Sequence, residues 1–206
     1  MPQFLFSGPP SAKTTLLLAH GAGAPMDSSW MNSFADRLAA KNIRTARFEF
    51  AYMAARRTGE RKPPPRADTL IAEYRAAIEA LGSKPIIGGK SMGGRVASML
   101  ADELFRDKRI AGLVCLGYPF HPPGQPDKLR TAHLETLKTP ALICQGSRDP
   151  FGTKEDVLGY RLSPKIELHW LEDGDHDFRP RKASGLTAGG NMEAATERVA
   201  AWVASK

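Results

Sequence analysis

Short runs of consecutive apolar residues alternate along the chain with segments whose apolar residues recur every three or four positions. Thr14–Ala19 is such a run, ending in His20-Gly21-Ala22-Gly23, as a buried parallel strand does. Asp27 or Ser28 can cap a following helix with Trp30, Phe34, Leu38 and Ala39 at helical spacing. Ile43–Phe50 reads as a strand, Ala46, Phe48 and Phe50 alternating with Arg47 and Glu49. A Pro- and Arg-rich loop, Arg56–Arg66, contains Pro63-Pro64-Pro65 and fits neither a central strand nor a helix interior. Asp68 or Thr69 starts a second helix, carrying Leu70, Ile71, Tyr74, Ile78 and Leu81, which Gly82 ends. Pro85–Gly89 is a very short strand that runs straight into Lys90-Ser91-Met92-Gly93-Gly94 and a helix with Val96, Met99, Leu100 and Leu104. Ile110–Gly117, Ala141–Gln145 and Ile166–Leu171 read as further strands, with a helix around Lys154–Tyr160. After a flexible stretch to Gly190, a last helix places Val199, Trp202 and Val203 on one face.

Five or six strand–helix repeats imply right-handed crossovers and a mostly parallel central sheet with helices on both faces. The expected fold class is therefore α/β, as one domain over residues 1–206, since the length suits a single core. Ligands of such sheets bind beyond the carboxyl ends of the strands. At 42% hydrophobic and 25% charged residues the composition is that of an ordered globular protein. No apolar run approaches the roughly 20 residues of a membrane span. Leu16–Leu18 resembles a weak signal segment but is short and broken by His20 and glycines, so it is read as a core strand. Cys115 and Cys144 each lie inside an apolar run, which predicts buried free thiols and a reducing cytoplasm. The net charge of +7 raises the possibility of an anionic partner. The dense basic cluster Arg56, Arg57, Arg61, Lys62 and Arg66 lacks aromatic interleaving beyond Tyr52, which speaks against nucleic acid.

Gly89-Lys90-Ser91-Met92-Gly93 matches G-x-S-x-G between a strand and a helix, the context of a strained nucleophile elbow. A serine hydroxyl needs a nearby base. Of the five histidines, His176 sits in a loop after the last strand, in Asp173-Gly174-Asp175-His176-Asp177, where the chain returns to the sheet's carboxyl edge. His169 lies within a strand, His133 on a solvated helix or loop, and His121 at a strand end from which it could approach substrate. Asp149 follows a strand through a short turn and suits the carboxylate that orients the base, with Asp127 farther from any strand end. The order Ser91, Asp149, His176 is that of one hydrolase class and not of the chymotrypsin or subtilisin classes. The Met92 N–H at the helix start and the Ala22 N–H in His20-Gly21-Ala22-Gly23 are the expected donors to a developing oxyanion.

Together these residues resemble the α/β-hydrolase superfamily, from His20-Gly21 through the elbow and Gly146-Ser147-Arg148-Asp149 to His176. The chain looks like the small lid-less branch that holds dienelactone-hydrolase-like enzymes. It is closer still to the testis-expressed-type hydrolase-like proteins, through Gly89–Arg95 and Gly117-Tyr118-Pro119-Phe120. It departs from true dienelactone hydrolases, which carry a cysteine where Ser91 stands. The resemblance implies the fold and the triad but no well-defined substrate; with the residues themselves, the expectation is a cytoplasmic serine hydrolase of a small-molecule carboxylic ester or thioester, with no metal or other cofactor and neither nucleic acid nor membrane as partner. The alternative is a scaffold or binding protein that keeps the fold without turnover. Too few residues lie between Ile110 and Pro140 for a helical lid, so an open site is expected, and Arg56 and Arg57 are the expected contacts to an anionic substrate.

Overall fold

The computed structural model describes residues 2–60 and 62–206. Seven strands form one sheet: β1 (Leu5–Ser7), β2 (Thr15–Ala19), β3 (Arg44–Phe48), β4 (Ile86–Lys90), β5 (Gly112–Leu116), β6 (Ala141–Gly146) and β7 (Ile166–Leu171). Their order is β1-β3-β2-β4-β5-β6-β7, parallel throughout except for β1, which pairs antiparallel with β3 at the edge. Among the described residues the α-helices are α1 (Ser29–Ala40), α2 (Ala51–Arg56), α3 (Ile71–Leu81), α4 (Met92–Arg106), α5 (Lys154–Leu158) and α6 (Ala188–Ala204).

Period-two alternation along each strand divides the interior into two cores. Leu17, Ala19, Ile87, Leu113 and Ile143 point to the side covered by α3 and α4. Leu16, Leu18, Ile86, Val114 and Leu142 point to the side of α1 and α6, where Trp202 and Val203 seal the surface. A parallel sheet buried on both faces needs continuous apolar strands, and β2, β5 and β6 have them.

Several local features follow from identifiable residues. The Ser28 side chain caps α1 by accepting from the Met31 N–H. Gly82 ends α3 in the left-handed region at φ 65°. The second helix is preceded by a 3-10 turn, Ala67–Leu70, so its α portion begins later than its cap residues suggest. Thr187 caps α6 at Gly190 N–H, and the helix therefore starts at Ala188, two residues before the expected Gly190. Two elements have no counterpart in the periodicity reading. β1 is a three-residue edge strand, and α2 occupies Ala51–Arg56, where its buried Tyr52 and Met53 face the core. Both cysteines are free and buried.

The central strand β4 carries an unusual prop. The buried Tyr74 hydroxyl accepts the Gly88 N–H at 2.9 Å, and its proton is shared between the carbonyls of Gly88 at 2.6 Å and Leu17 at 3.0 Å. It thus bridges β2 and β4 from α3. Tyr74→Phe takes the hydroxyl from the Gly88 N–H and from both carbonyls, so the urea midpoint should fall at unchanged m-value by the equivalent of about 1–3 kcal/mol. An unchanged midpoint would mean that the bridge contributes nothing.

Candidate active site

At the end of β4 the chain must turn sharply into α4, and Ser91 absorbs the turn. Its backbone lies at φ 51°, ψ −116°, a region that non-glycine residues rarely occupy. The turn is possible because the chain on either side presses against β2. A Cβ on Gly93 would stand 2.5 Å from the Ala19 carbonyl oxygen, and one on Gly89 would stand 2.5 Å from the same atom. Ser91 occupies the N-cap position of α4, yet its hydroxyl makes no capping hydrogen bond. The side chain is aimed out of the helix instead, and its Oγ lies 2.8 Å from His176 Nε2.

His176 extends from the loop after β7, and its Nδ1 lies 2.7 Å from Asp149 Oδ2. The carboxylate is the acceptor, so Nδ1 carries the proton and the Nε2 lone pair faces the serine hydroxyl. Asp149, wholly buried in the loop after β6, is held by two further donors, Gln145 Nε2 at 2.9 Å and the Phe151 N–H at 2.9 Å. The Phe151 ring packs against the imidazole at a centroid distance of 4.3 Å. The two loops are themselves joined, since the Ser147 N–H donates to Leu171 and the Arg148 N–H to Gly174. Ser91, His176 and Asp149, three residues far apart in the chain, thus stand in one hydrogen-bonded line. Asp127 is not part of it.

Ala22 and Met92 both line the recess beside Ser91. Among the described residues neither N–H has an acceptor within the chain, and Met92, as the first residue of α4, has none available in its helix. Upstream, His20 is fully buried. Its Nδ1 donates to the Gly21 carbonyl and its Nε2 accepts the Phe50 N–H, which ties the Ala22 loop to the end of β3. The Tyr52 hydroxyl, from α2, donates to the Ala22 carbonyl at 3.0 Å and fixes the same loop from the other side.

The expected substrate contacts lie elsewhere. Arg57 is held by Glu49 at 2.6 Å and Asp27 at 2.8 Å, so two carboxylates already neutralise it. Arg56 lies over the Tyr52 ring and donates to the Lys62 carbonyl. Neither lines the recesses that touch Ser91. Arg61 of the same cluster lies outside the described residues. His121 is buried, with Nδ1 bonded to the Pro122 carbonyl and Nε2 turned toward Asp156, because its backbone N–H is pinned to Phe151. It does not reach the serine recesses either. His133, expected in solvent, is half-buried and bonded to Ser98 Oγ at 2.8 Å.

Two residues that take part in the site went unrecognised in the periodicity reading. Gln145, on β6, is fully buried and links Asp149 to the Tyr118 backbone of the neighbouring strand end. A polar amide inside an apolar strand was the available signal. Lys90, at the variable position before Ser91, buries its ammonium beneath the His176 loop. There it donates to the His176 carbonyl at 2.8 Å, lies 3.3 Å from Asp177 and faces the Trp30 ring. Burial lowers its pKa, and the Asp177 and Asp149 charges oppose that shift. Among the described residues no group of three or more His, Cys, Asp or Glu side chains could hold a metal ion, and no helix is long and apolar enough to cross a membrane.

A family model described as an alpha/beta hydrolase domain matches residues 12–204. Among solved structures, the chain is similar to a dienelactone hydrolase from Anabaena variabilis, with a TM-score of 0.73 at 21% identity over 98% of this chain and 90% of that one. A thermophilic esterase from Thermogutta terrifontis aligns with a TM-score of 0.71 at 18% identity, over 99% and 93% of the two chains. A monoacylglycerol lipase from Paleococcus ferrophilus aligns with a TM-score of 0.71 at 16% identity, over 100% and 99%.

Burial lowers the pKa of His20, and likewise those of His133 and His169. The unfolded chain therefore binds more protons than the folded one just below pH 6.5, and the stability these groups contribute is complete above that pH and lost as pH falls through the window beneath it. Urea unfolding between pH 7.5 and 5 should show stability falling on acidification. His20→Gln should flatten that slope by up to one proton, about 1.4 kcal/mol per pH unit. An unaltered slope would show that His20 is not held neutral.

Proposed function

The chain belongs to the alpha/beta hydrolase domain family, and from that premise we propose that it hydrolyses a small carboxylic ester or thioester through an acyl-enzyme on Ser91. The observation that carries this reading is the continuous line from Ser91 Oγ through the imidazole of His176 to the buried Asp149. Ser91 Oγ attacks the acyl carbon while its proton passes to His176 Nε2. The resulting oxyanion takes hydrogen bonds from the Met92 and Ala22 N–H groups, at the positive end of the α4 dipole. His176 then gives its proton to the departing alkoxide or thiolate, and the acyl group remains on Ser91. A water molecule, deprotonated by the same nitrogen, attacks the acyl carbon and releases the acid, returning the proton to Ser91.

Asp149 holds the proton on Nδ1 throughout and stabilises the imidazolium. Gln145 and the Phe151 N–H keep that carboxylate aimed, and Lys90 holds the backbone of the base itself; all three are positioning groups. The sequence carries all of this in one domain. Every bond made or broken involves the ester, water, Ser91 and His176, so the steps call on no metal or organic cofactor. Recesses open on both sides of Ser91, of about 470 Å³ and about 340 Å³, and each has room for one arm of a small ester.

A fluorophosphonate probe should label the wild-type protein at Ser91 and leave Ser91→Ala unlabelled. Short p-nitrophenyl esters should be turned over, with kcat falling roughly 10³–10⁴-fold in Asp149→Asn, whose amide favours the wrong imidazole tautomer. A folded wild-type protein that neither labels nor turns over any ester would remove the hydrolase reading and leave the non-catalytic scaffold in its place.

A further inference from the structure

The recess on the α4 side of Ser91 has an unusual charge arrangement. Its lining includes Arg95, Arg130 and Arg66 but only one acid, Asp68, and that acid is paired with Arg66 at 3.0 Å on the outer rim. Arg95 and Arg130 are half-buried, and among the described residues neither has a carboxylate within ion-pair distance. Arg37, Arg57, Arg75, Arg148, Arg181 and Arg198 each face an acid, and Arg44, Arg47 and Arg56, which do not, donate to carbonyl or amide oxygens. Arg95 Nε is buried with no hydrogen-bond partner, as are those of Arg44, Arg47 and Arg56, but among the described residues no nitrogen of the Arg95 guanidinium finds an acceptor. The two guanidiniums sense each other, since burial and then the Arg95 charge lower the pKa of Arg130. Among the described residues no titratable group near them forms an ion pair with either, and the neutral Tyr118 hydroxyl donates to the Arg130 carbonyl. His133 is bonded to Ser98, and Asp102 is occupied by the Lys138 and Thr139 N–H groups. Apolar walls, formed by Pro64, Pro65, Pro119 and Phe151, keep the field of the pair directed into the recess.

Two unpaired, partly desolvated guanidiniums repel each other and lack acceptors, a cost that one shared oxyanion relieves at both. We propose that Arg95 and Arg130 form a binding subsite for an anionic group, carboxylate or phosphate, on one arm of the ester that Ser91 attacks. Arg95 lies one helical turn from Ser91, about 6 Å of rise along α4. The anionic group therefore sits a few bonds from the scissile carbonyl, as in a half-ester of a short dicarboxylic acid or an acyl ester of a small hydroxyalkyl phosphate. The subsite rests on the proposed role of Ser91 for its orientation, but its affinity for an anion does not depend on turnover.

The test measures kcat/KM for monomethyl glutarate against dimethyl glutarate, and for 2-acetoxyethyl phosphate against ethyl acetate. In the wild-type protein the anionic member of at least one pair should be preferred tenfold or more, and which pair shows the preference identifies the group. That ratio should fall at least tenfold in Arg95→Gln and in Arg130→Gln, and should decline with added salt. A ratio near one, or a ratio that both variants leave unaltered, overturns the subsite. If neither member of either pair is turned over, fluorophosphonate labelling of Ser91 decides the hydrolase reading and binding decides the subsite. Calorimetry of glutarate and inorganic phosphate with Ser91→Ala should then show an anion bound at millimolar or tighter affinity, lost when Arg95→Gln and Arg130→Gln are added. No binding to Ser91→Ala would overturn the proposal.

Discussion

The close approach of α4 to β2 is the constraint on which the rest of the site depends. Gly93 brings the first turn of the helix against the Ala19 carbonyl, and Gly89 brings the end of β4 against the same atom. No side chain fits in that gap. With both ends of the turn fixed, Ser91 is forced into a positive-φ conformation and cannot cap its own helix. Its hydroxyl is presented outward and the N–H of Met92 is left free. Strain in one residue thus yields an aimed hydroxyl and a free donor at a helix N-terminus, and the two cores on either side of the sheet supply the rigidity that maintains it.

Asp149 and His176 reach the same point by a different device. Neither the loop after β6 nor the loop after β7 has regular structure, but backbone hydrogen bonds join them, and buried polar groups fix their ends. Asp149 is a fully buried carboxylate with three donors, an arrangement that low dielectric makes strong only if every partner is present. Gln145 is the member that also binds the Tyr118 backbone beyond β5, so the aim of the carboxylate is referred to the sheet and not to its own loop. Lys90 does the same for His176. It lies at the very end of β4, adjacent to Ser91, and donates to the carbonyl of the histidine. The hydroxyl and the imidazole are thereby measured from one strand end.

Much of this was legible from local patterns. The parallel strands are apolar runs, α4 and α3 show their spacing, and the chain order of Ser91, Asp149 and His176 follows from which loops lie at the carboxyl edge. The resemblance to α/β-hydrolases adds the expected fold, and the family match bears it out. What escaped depends on tertiary contact. β1 is three residues long and owes its existence to pairing with β3. α2 sits beside a proline-rich loop that masks its periodicity, and packing of Tyr52 and Met53 stabilises it. Gln145 and Lys90 are ordinary residues by type, and only the fold shows whose atoms they meet.

The basic character of the chain illustrates the same limit with respect to charge. A net charge of +7 and a visible arginine cluster at 56–66 draw the eye to Arg56 and Arg57, which do not line the recesses at Ser91. In the fold Arg57 is neutralised by Asp27 and by Glu49, a residue eight positions earlier, whereas Arg95 and Arg130, isolated in the sequence, come together with no acid between them. A field at a site arises from charges that lack partners, not from the density of charges along a chain. Arg95 is placed by the helix that Ser91 begins. Arg130 is placed by a backbone bond to Phe120, and its carbonyl accepts from the Tyr118 hydroxyl. The strand end that Gln145 anchors beside Asp149 therefore also carries one side of the cationic recess, and the orientation of the Asp149 carboxylate and the placement of the positive charge have a common structural origin.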